Sequence, residues 1–365
     1  MQDGYAALKR FFGAYLPEEL PSEKPFAEFI EGLCRSLPDT ISECGDVLFE
    51  ALNRSAPEYF ERYQRELAGF RERLQEQWRV PLDLLERTIV LATDAGRDFL
   101  EDRRRESPSD IGCLHVALVG LHARGCQVGN EILRLLSGGF PDGAHARWRT
   151  LHELAVTACF IAEHGDQLAE RYLSHQYIEA YKEALIYREH EVSLGLEPLP
   201  DRELTHLAGL SEDLCSKYGQ NFRLDYGWAS EVLAPASPSF AHIRNMVGLS
   251  HLHPQYKLAC QNVHSAAKAL YFRLGVPGEL KQFPITLAGP SNTGLADPGM
   301  ETAQALLLLT CTLLGGEDTT FERLVILDAL TKTVRSAQDA FFEAHRRLEG
   351  DNDGCAERAS PSVEQ

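Results

Sequence analysis

The chain has 365 residues, 44% of them apolar and 25% charged, and a formal charge of −18. It can hold one large domain or two of ordinary size around a real core. The acidic balance excludes wholesale wrapping of DNA or binding to an anionic membrane surface, because like charges repel at long range, while a local basic pocket remains compatible with it. Nine cysteines lie scattered without a C-x-x-C pair, which argues for a reducing, cytoplasmic setting over a disulfide framework or a thiolate zinc site. The opening residues lack the basic-then-apolar layout of a secretory signal. The longest apolar stretch, 303–314, is too short to span a bilayer.

Residues 1–55 read as short amphipathic helices separated by Pro17, Pro21, Pro25 and Pro38. A charged helix is expected from Pro57 to Arg79 with Tyr59, Tyr63, Leu67, Phe70 and Leu74 on one side, and Pro81 opens another that runs to about Arg105. Residues 112–137 form a strongly apolar helix whose seam is Leu114, Leu118, Leu121, Gly125, Val128, Ile132 and Leu136. Gly125 and Gly129 there allow close helix contact, and Gly138-Gly139 ends the helix.

Pro141-Asp142-Gly143 starts the next element. Trp148, Leu151, Leu154, Ala155, Ala158 and Ala162 recur at helical spacing, and Gly165-Asp166 ends one helix and begins a second, an expected antiparallel hairpin. This stretch carries the densest set of buried-looking polar side chains: Arg147, Arg149, Glu153, Arg171, Tyr172 and His175.

Residues 194–238 are the least regular, with one helical segment at 201–218. A helix follows from Pro254, then a long loop at 276–298 and two final helices over about 299–315 and 319–349. Long loops inside compact domains are uncommon unless functional. No alternating apolar run calls for a sheet. The expectation is an all-α, multi-helix bundle: an N-terminal helical segment over 1–110, a helical core domain over 111–349 and a disordered tail over 350–365.

Several familiar sites fail residue by residue. His152-Glu153 begins a zincin pattern, but Val156 stands where the second histidine ligand belongs. A di-iron bundle needs two Glu-x-x-His pairs, and only Glu203 to His206 is present. No metal site and no cofactor are expected. In the stretch Arg244-Asn245 to His251 the arginine and the histidine stand seven positions apart, two helical turns. On a continuous helix the guanidinium and imidazole share a face, the first able to hold phosphate and the second to move protons.

That spacing resembles the Arg-x(4–6)-His signature of the HEPN superfamily, all-helical domains of which many are metal-independent ribonucleases of toxin or antiphage systems. The resemblance implies attack of a ribose 2′-hydroxyl on the adjacent phosphate, with Arg244 steadying charge, Asn245 beside it and His251 handling protons. A broader layout comprises Trp78, Arg147-x-Arg149-x-x-x-Glu153, Arg171-Tyr172, Tyr256 and Val263-His264. It resembles the bacterial family known as domain of unknown function 5677, over about residues 60–315. That resemblance implies a helical fold and supplies no activity.

Three functions stay open at this point. One is a HEPN-like ribonuclease or defence effector acting through Arg244, Asn245 and His251. Another is a ligand-sensing or scaffold protein whose Arg149, Arg171, Tyr172, His175 and Tyr256 hold an anionic group. The third is a hydrolase using Glu153 and His264. The expected partners are RNA or a small anionic ligand, with no membrane and no bulk DNA, and homodimerisation is left open. Buried charges must be paired, so Arg149, Glu153, Arg171 and His264 are expected to meet, either as a structural network or as the floor of a cleft.

Overall fold

The computed structural model describes residues 23–106, 112–233, 237–264, 267–271, 273–276, 288–316 and 319–358. All regular structure among them is helical: α1 (Glu23–Glu106), α2 (Cys113–Ser137), α3 (Pro141–His190), α4 (Asp201–Tyr218), α5 (Phe240–Met246), α6 (His253–Val263), α7 (Ala296–Leu314) and α8 (Phe321–Arg358). Short 3-10 turns lie at Gln220–Arg223, Gly227–Ala229, Ser250–Leu252 and Ala267–Leu270. The all-α expectation is met. No helix among the described residues is long and apolar enough to cross a membrane. Contacts divide the chain into Met1–Phe70 and Arg71–Gln365. The expectation of a disordered tail over 350–365 falls on residues described only as far as Arg358, and that of breaks at Pro17 and Pro21 falls outside the described residues.

One helix runs through Pro25, in its first turn, and on through Pro38, Pro57 and Pro81, where the sequence led us to expect separate helices. A proline removes a single helical hydrogen bond at a cost of about 3 kcal/mol. Flanking runs of Glu, Arg, Gln, Leu and Ala, all strong helix formers, offset it, and Pro81 is itself buried in the core. From Arg71 onward α1 buries Leu74, Trp78, Leu82, Leu85, Ile89, Ala92, Ala95 and Phe99, steps of three and four that make one apolar face. Trp78 packs on Phe341 of α8, and its indole N–H donates to the Asn292 carbonyl at 2.9 Å, so the described part of the 276–298 loop is tied to the helices.

Helix α2 buries the seam read from its sequence at Leu118, Leu121, Gly125, Val128, Ile132 and Leu136, with Leu114 at its start half-buried. A β-carbon at Gly125 would stand 2.5 Å from Leu309 of α7, and one at Gly129 would stand 3.1 Å from Leu306. The two glycines therefore set how closely α2 and α7 approach.

Helix α3 breaks at Gly165, whose φ of +76° and ψ of −161° lie outside the helical region and are tolerated essentially by glycine alone. Beyond the break Asp166 turns its carboxylate onto the Leu114 N–H at 2.9 Å, satisfying an otherwise orphaned donor at the start of α2. The expected break between 141–164 and 166–190 thus falls at Gly165. Both halves contribute to one core with α2, α4 and α7, and α5 and α6 pack against α3.

Candidate functional site

The 141–164 half of α3 presents Arg149, His152 and Glu153 on adjoining turns, and α6 brings Tyr256 to them. Tyr256 donates its hydroxyl proton to Glu153 Oε1 at 2.6 Å. Arg149 Nε donates to the same oxygen at 2.9 Å and lies 3.3 Å from the Tyr256 oxygen. Arg149 Nη1 donates to His264 Nε2 at 3.0 Å. An arginine can only donate, so the His264 ring proton sits on Nδ1 while this bond is made. Burial, then the bond to Glu153, pushes the Tyr256 hydroxyl well above its ordinary pKa. Across 115 positions of sequence, Arg149, Glu153, Tyr256 and His264 form one network.

Tyr256 is also the hinge to a second group. The Arg149 guanidinium stands 5.3 Å from its ring centroid and that of Arg244 5.4 Å. Arg244 in turn lies 5.9 Å from Phe240. His152 packs among Trp148, Phe240 and Tyr256 at centroid distances of 5.2, 6.0 and 5.7 Å. Burial, reinforced by the charges of Arg244 and His251, lowers the His152 pKa to about 4, so this imidazole is neutral at ordinary pH.

Arg244 is 4% exposed, its Nε has no hydrogen-bond partner, and it makes no ion pair among the described residues. The indole nitrogen of Trp148 and Nε2 of His152 are likewise buried without a partner. A buried guanidinium without a counter-charge is costly. The three partnerless atoms belong to residues linked through His152, which stacks on Trp148 and feels the charge of Arg244.

The expected continuous helix from Arg244 to His251 is not formed. Helix α5 ends at Met246, Gly248 takes a φ of +70°, and His251 stands on the turn Ser250–Leu252. Glycine lets the chain reverse here at little steric cost. His251 is exposed, yet its charge, like that of Arg244, bears on His152, so both residues remain near the same imidazole. Asn245 is exposed and accepts a hydrogen bond from Ser250 at 2.8 Å, which braces the turn that carries His251. The helix expected to run on from Pro254 ends at Val263. His264 follows as the C-cap residue and is exposed, with its ring against Arg149.

Arg171, Tyr172 and His175 form a separate cluster. Arg171 donates to the carbonyls of Trp228 and Gly227 at 2.9 and 3.4 Å and to Ser230 at 3.2 Å, pairs with Glu231 at 3.2 Å, and stacks on Tyr218 and Phe222. His175 Nε2 faces the carbonyls of Phe222 and Leu224 at 3.1 and 2.9 Å. Tyr172 packs edge-on against Trp228, and burial raises its hydroxyl pKa. A cleft of about 560 Å³ beside Arg171 is lined by Lys217, Tyr218, Asn221, Ser230 and Glu231 among others. The guanidinium at its edge is already taken. Arg171 therefore shares no partner with Arg149 or His264, against the expectation that these would meet. Arg147 pairs with Glu131 of α2, away from the network.

The clamp still matters to the site, because the segment it holds carries Tyr226. That hydroxyl is raised in pKa by burial and then by the charge of Glu153, which places it beside the network. Tyr226 and Phe240 were not singled out from the sequence, Trp148 was read there only as core and His152 only as half of a zincin pattern that fails. The spacing of His145, Trp148 and His152 by three and four was the available sign, since it puts all three on one helix face. Among the described residues no group of three or more His, Cys, Asp or Glu could hold a metal ion.

The comparisons with curated proteins and with solved structures returned no match. Residues 115–281 match the model of a family described as "Family of unknown function (DUF5677)", and this stretch contains every residue of both clusters.

Proposed function

We propose that the site around Arg244 binds the phosphate of an RNA strand and that the protein cleaves that strand without a metal ion. The observation that carries this reading is the buried, unpaired Arg244 guanidinium beside a neutral His152 and within electrostatic reach of His251. A cation in a water-poor setting binds an anion strongly because the competing solvent is absent. In the step envisaged, His251 takes the proton of a ribose 2′-hydroxyl. The 2′ oxygen then attacks the adjacent phosphorus, the bond to the 5′ oxygen breaks, and that oxygen receives the proton back from the His251 imidazolium through water, leaving a 2′,3′-cyclic phosphate. Arg244 stabilises the extra negative charge on the phosphoryl oxygens. Arg149 and Tyr256 line the approach, and Arg171, Tyr172 and His175 act by holding the 222–230 segment. A cytoplasmic location and a toxin or antiphage role go with this proposal, as does the division into 1–110, 111–349 and 350–365.

A second reading, binding without chemistry, is favoured by the closure of the Arg149–Glu153–Tyr256–His264 network. Glu153 Oε1 already accepts two hydrogen bonds, which suits a sensor better than a hydrolase that uses Glu153 as its base. The test is incubation of the full chain with end-labelled RNA in EDTA. Cleavage to cyclic-phosphate ends is expected, and it should be lost in His251→Ala and in Arg244→Met. RNA or a small phosphate ligand that is bound intact by the wild type but not by Arg244→Met supports the second reading. Absence of both binding and cleavage refutes the site.

A further inference from the structure

A different part of the molecule carries an inference independent of that site. Within the first unit, α1 presents Ile41, Leu48, Leu52, Tyr59 and Tyr63, between 45% and 62% exposed, with Phe49 and Phe60 beside them. Their spacings of seven and four place them on one face about 120° wide at 100° per residue, and Ile41 to Tyr63 is about 33 Å at 1.5 Å per residue. A helix in water draws most of its stability from burying such a face, and a contiguous apolar patch of this size on a protein surface marks a contact site.

The charges on the same stretch decide what covers it. Residues 36–53 hold Asp39, Glu43, Asp46 and Glu50 with no Lys or Arg, whereas residues 54–65 hold Arg54, Arg62 and Arg65 against Glu58 and Glu61. The first half is thus net −4 and the second net +1. An anionic membrane or nucleic acid is repelled by the first half. Two copies in parallel would set −4 against −4. Two copies in antiparallel set −4 against +1, oppose the helix dipoles favourably and bring Ile41 opposite Tyr63, with Leu52 at the two-fold axis.

We infer that α1 pairs with α1 of a second copy of this chain in an antiparallel, two-fold dimer centred on Leu52. Such an interface is self-complementary, as a closed dimer requires, and its charge pairing weakens with salt.

The test uses the full chain. Light scattering should give twice the chain mass for the wild type and for Val47→Glu, which adds the same charge on the opposite face. Leu52→Glu should give a monomer. In a background with Cys34 and Cys44 changed to Ser, oxidation should cross-link Leu52→Cys but not Val47→Cys. Ile41→Cys should cross-link only when mixed with Tyr63→Cys. A monomeric wild type, a dimer that survives Leu52→Glu, or self-linking of Ile41→Cys overturns the proposal, the last by showing parallel pairing.

Discussion

Two buried arginines should respond to the same substitution with opposite signs. Arg244→Met removes a guanidinium that has no carboxylate or carbonyl partner among the described residues and whose visible favourable contacts are the rings of Phe240 and Tyr256. Two cation–π contacts contribute about 1–4 kcal/mol together, whereas an unpaired buried charge costs several kcal/mol after relaxation. Methionine is flexible enough to fill the space. The balance favours the variant by roughly 1–3 kcal/mol, and near 2–4 °C per kcal/mol its melting temperature should rise several degrees. Arg171→Met removes a guanidinium that holds two carbonyls, a serine and Glu231. It leaves buried acceptors unpaired and should cost roughly 3–5 kcal/mol. Urea unfolding at pH 7 reads both, as midpoint shifts in opposite directions with unchanged slope. Destabilisation of Arg244→Met by more than about 1 kcal/mol would mean that Arg244 is a structural residue, and the reasoning would fail.

The remaining expectations concern pH, packing and the network. Burial holds the pKa values of His122 and His152 at about 4, with Arg244 and His251 adding to the effect at His152. Below the unfolded value of 6.5 the unfolded chain binds protons that the folded chain refuses, so stability falls as pH drops from 6.5 toward 4 and is flat above 6.5. At pH 5 each histidine should cost roughly 2 kcal/mol; unfolding midpoints equal at pH 7 and pH 5 would contradict this. Gly125→Val pushes a side chain into Leu309 and should cost about 1–3 kcal/mol in denaturant melts, while the same change at Gly120, where nothing stands within 4 Å, should cost less than about 1 kcal/mol. Tyr256→Phe removes the donor that reaches Glu153 at 2.6 Å. Ligand affinity should fall by about tenfold or more with the fold retained, as read by titration calorimetry; unchanged affinity would separate the network from the Arg244 site.

Much of the fold was legible because periodicity is a local property. The seam of α2, the break at Gly165 and the span of α4 each follow from residues within two or three turns. The run of α1 through Pro38, Pro57 and Pro81 was not, since whether one lost hydrogen bond ends a helix depends on what the flanks and the core return. The site was legible only in part. Arg149, Glu153, Tyr256 and His264 could be named from a family layout, but their meeting depends on contacts across 103 to 115 residues. Arg171 has the sequence look of a binding arginine, and only the carbonyls of 227 and 228 reveal it as a clamp. Arg244 was named for its spacing to His251 on a helix that does not continue. What distinguishes it is a missing partner, which no sequence pattern records.

The central claim is that Arg244 stands ready for an anion, and anion-dependent thermal unfolding at fixed ionic strength tests it most directly. Replacing chloride with phosphate, or adding a short RNA, should raise the melting temperature of the wild type and leave Arg244→Met unmoved. A wild type indifferent to both, or an Arg244→Met variant stabilised equally, would contradict the account.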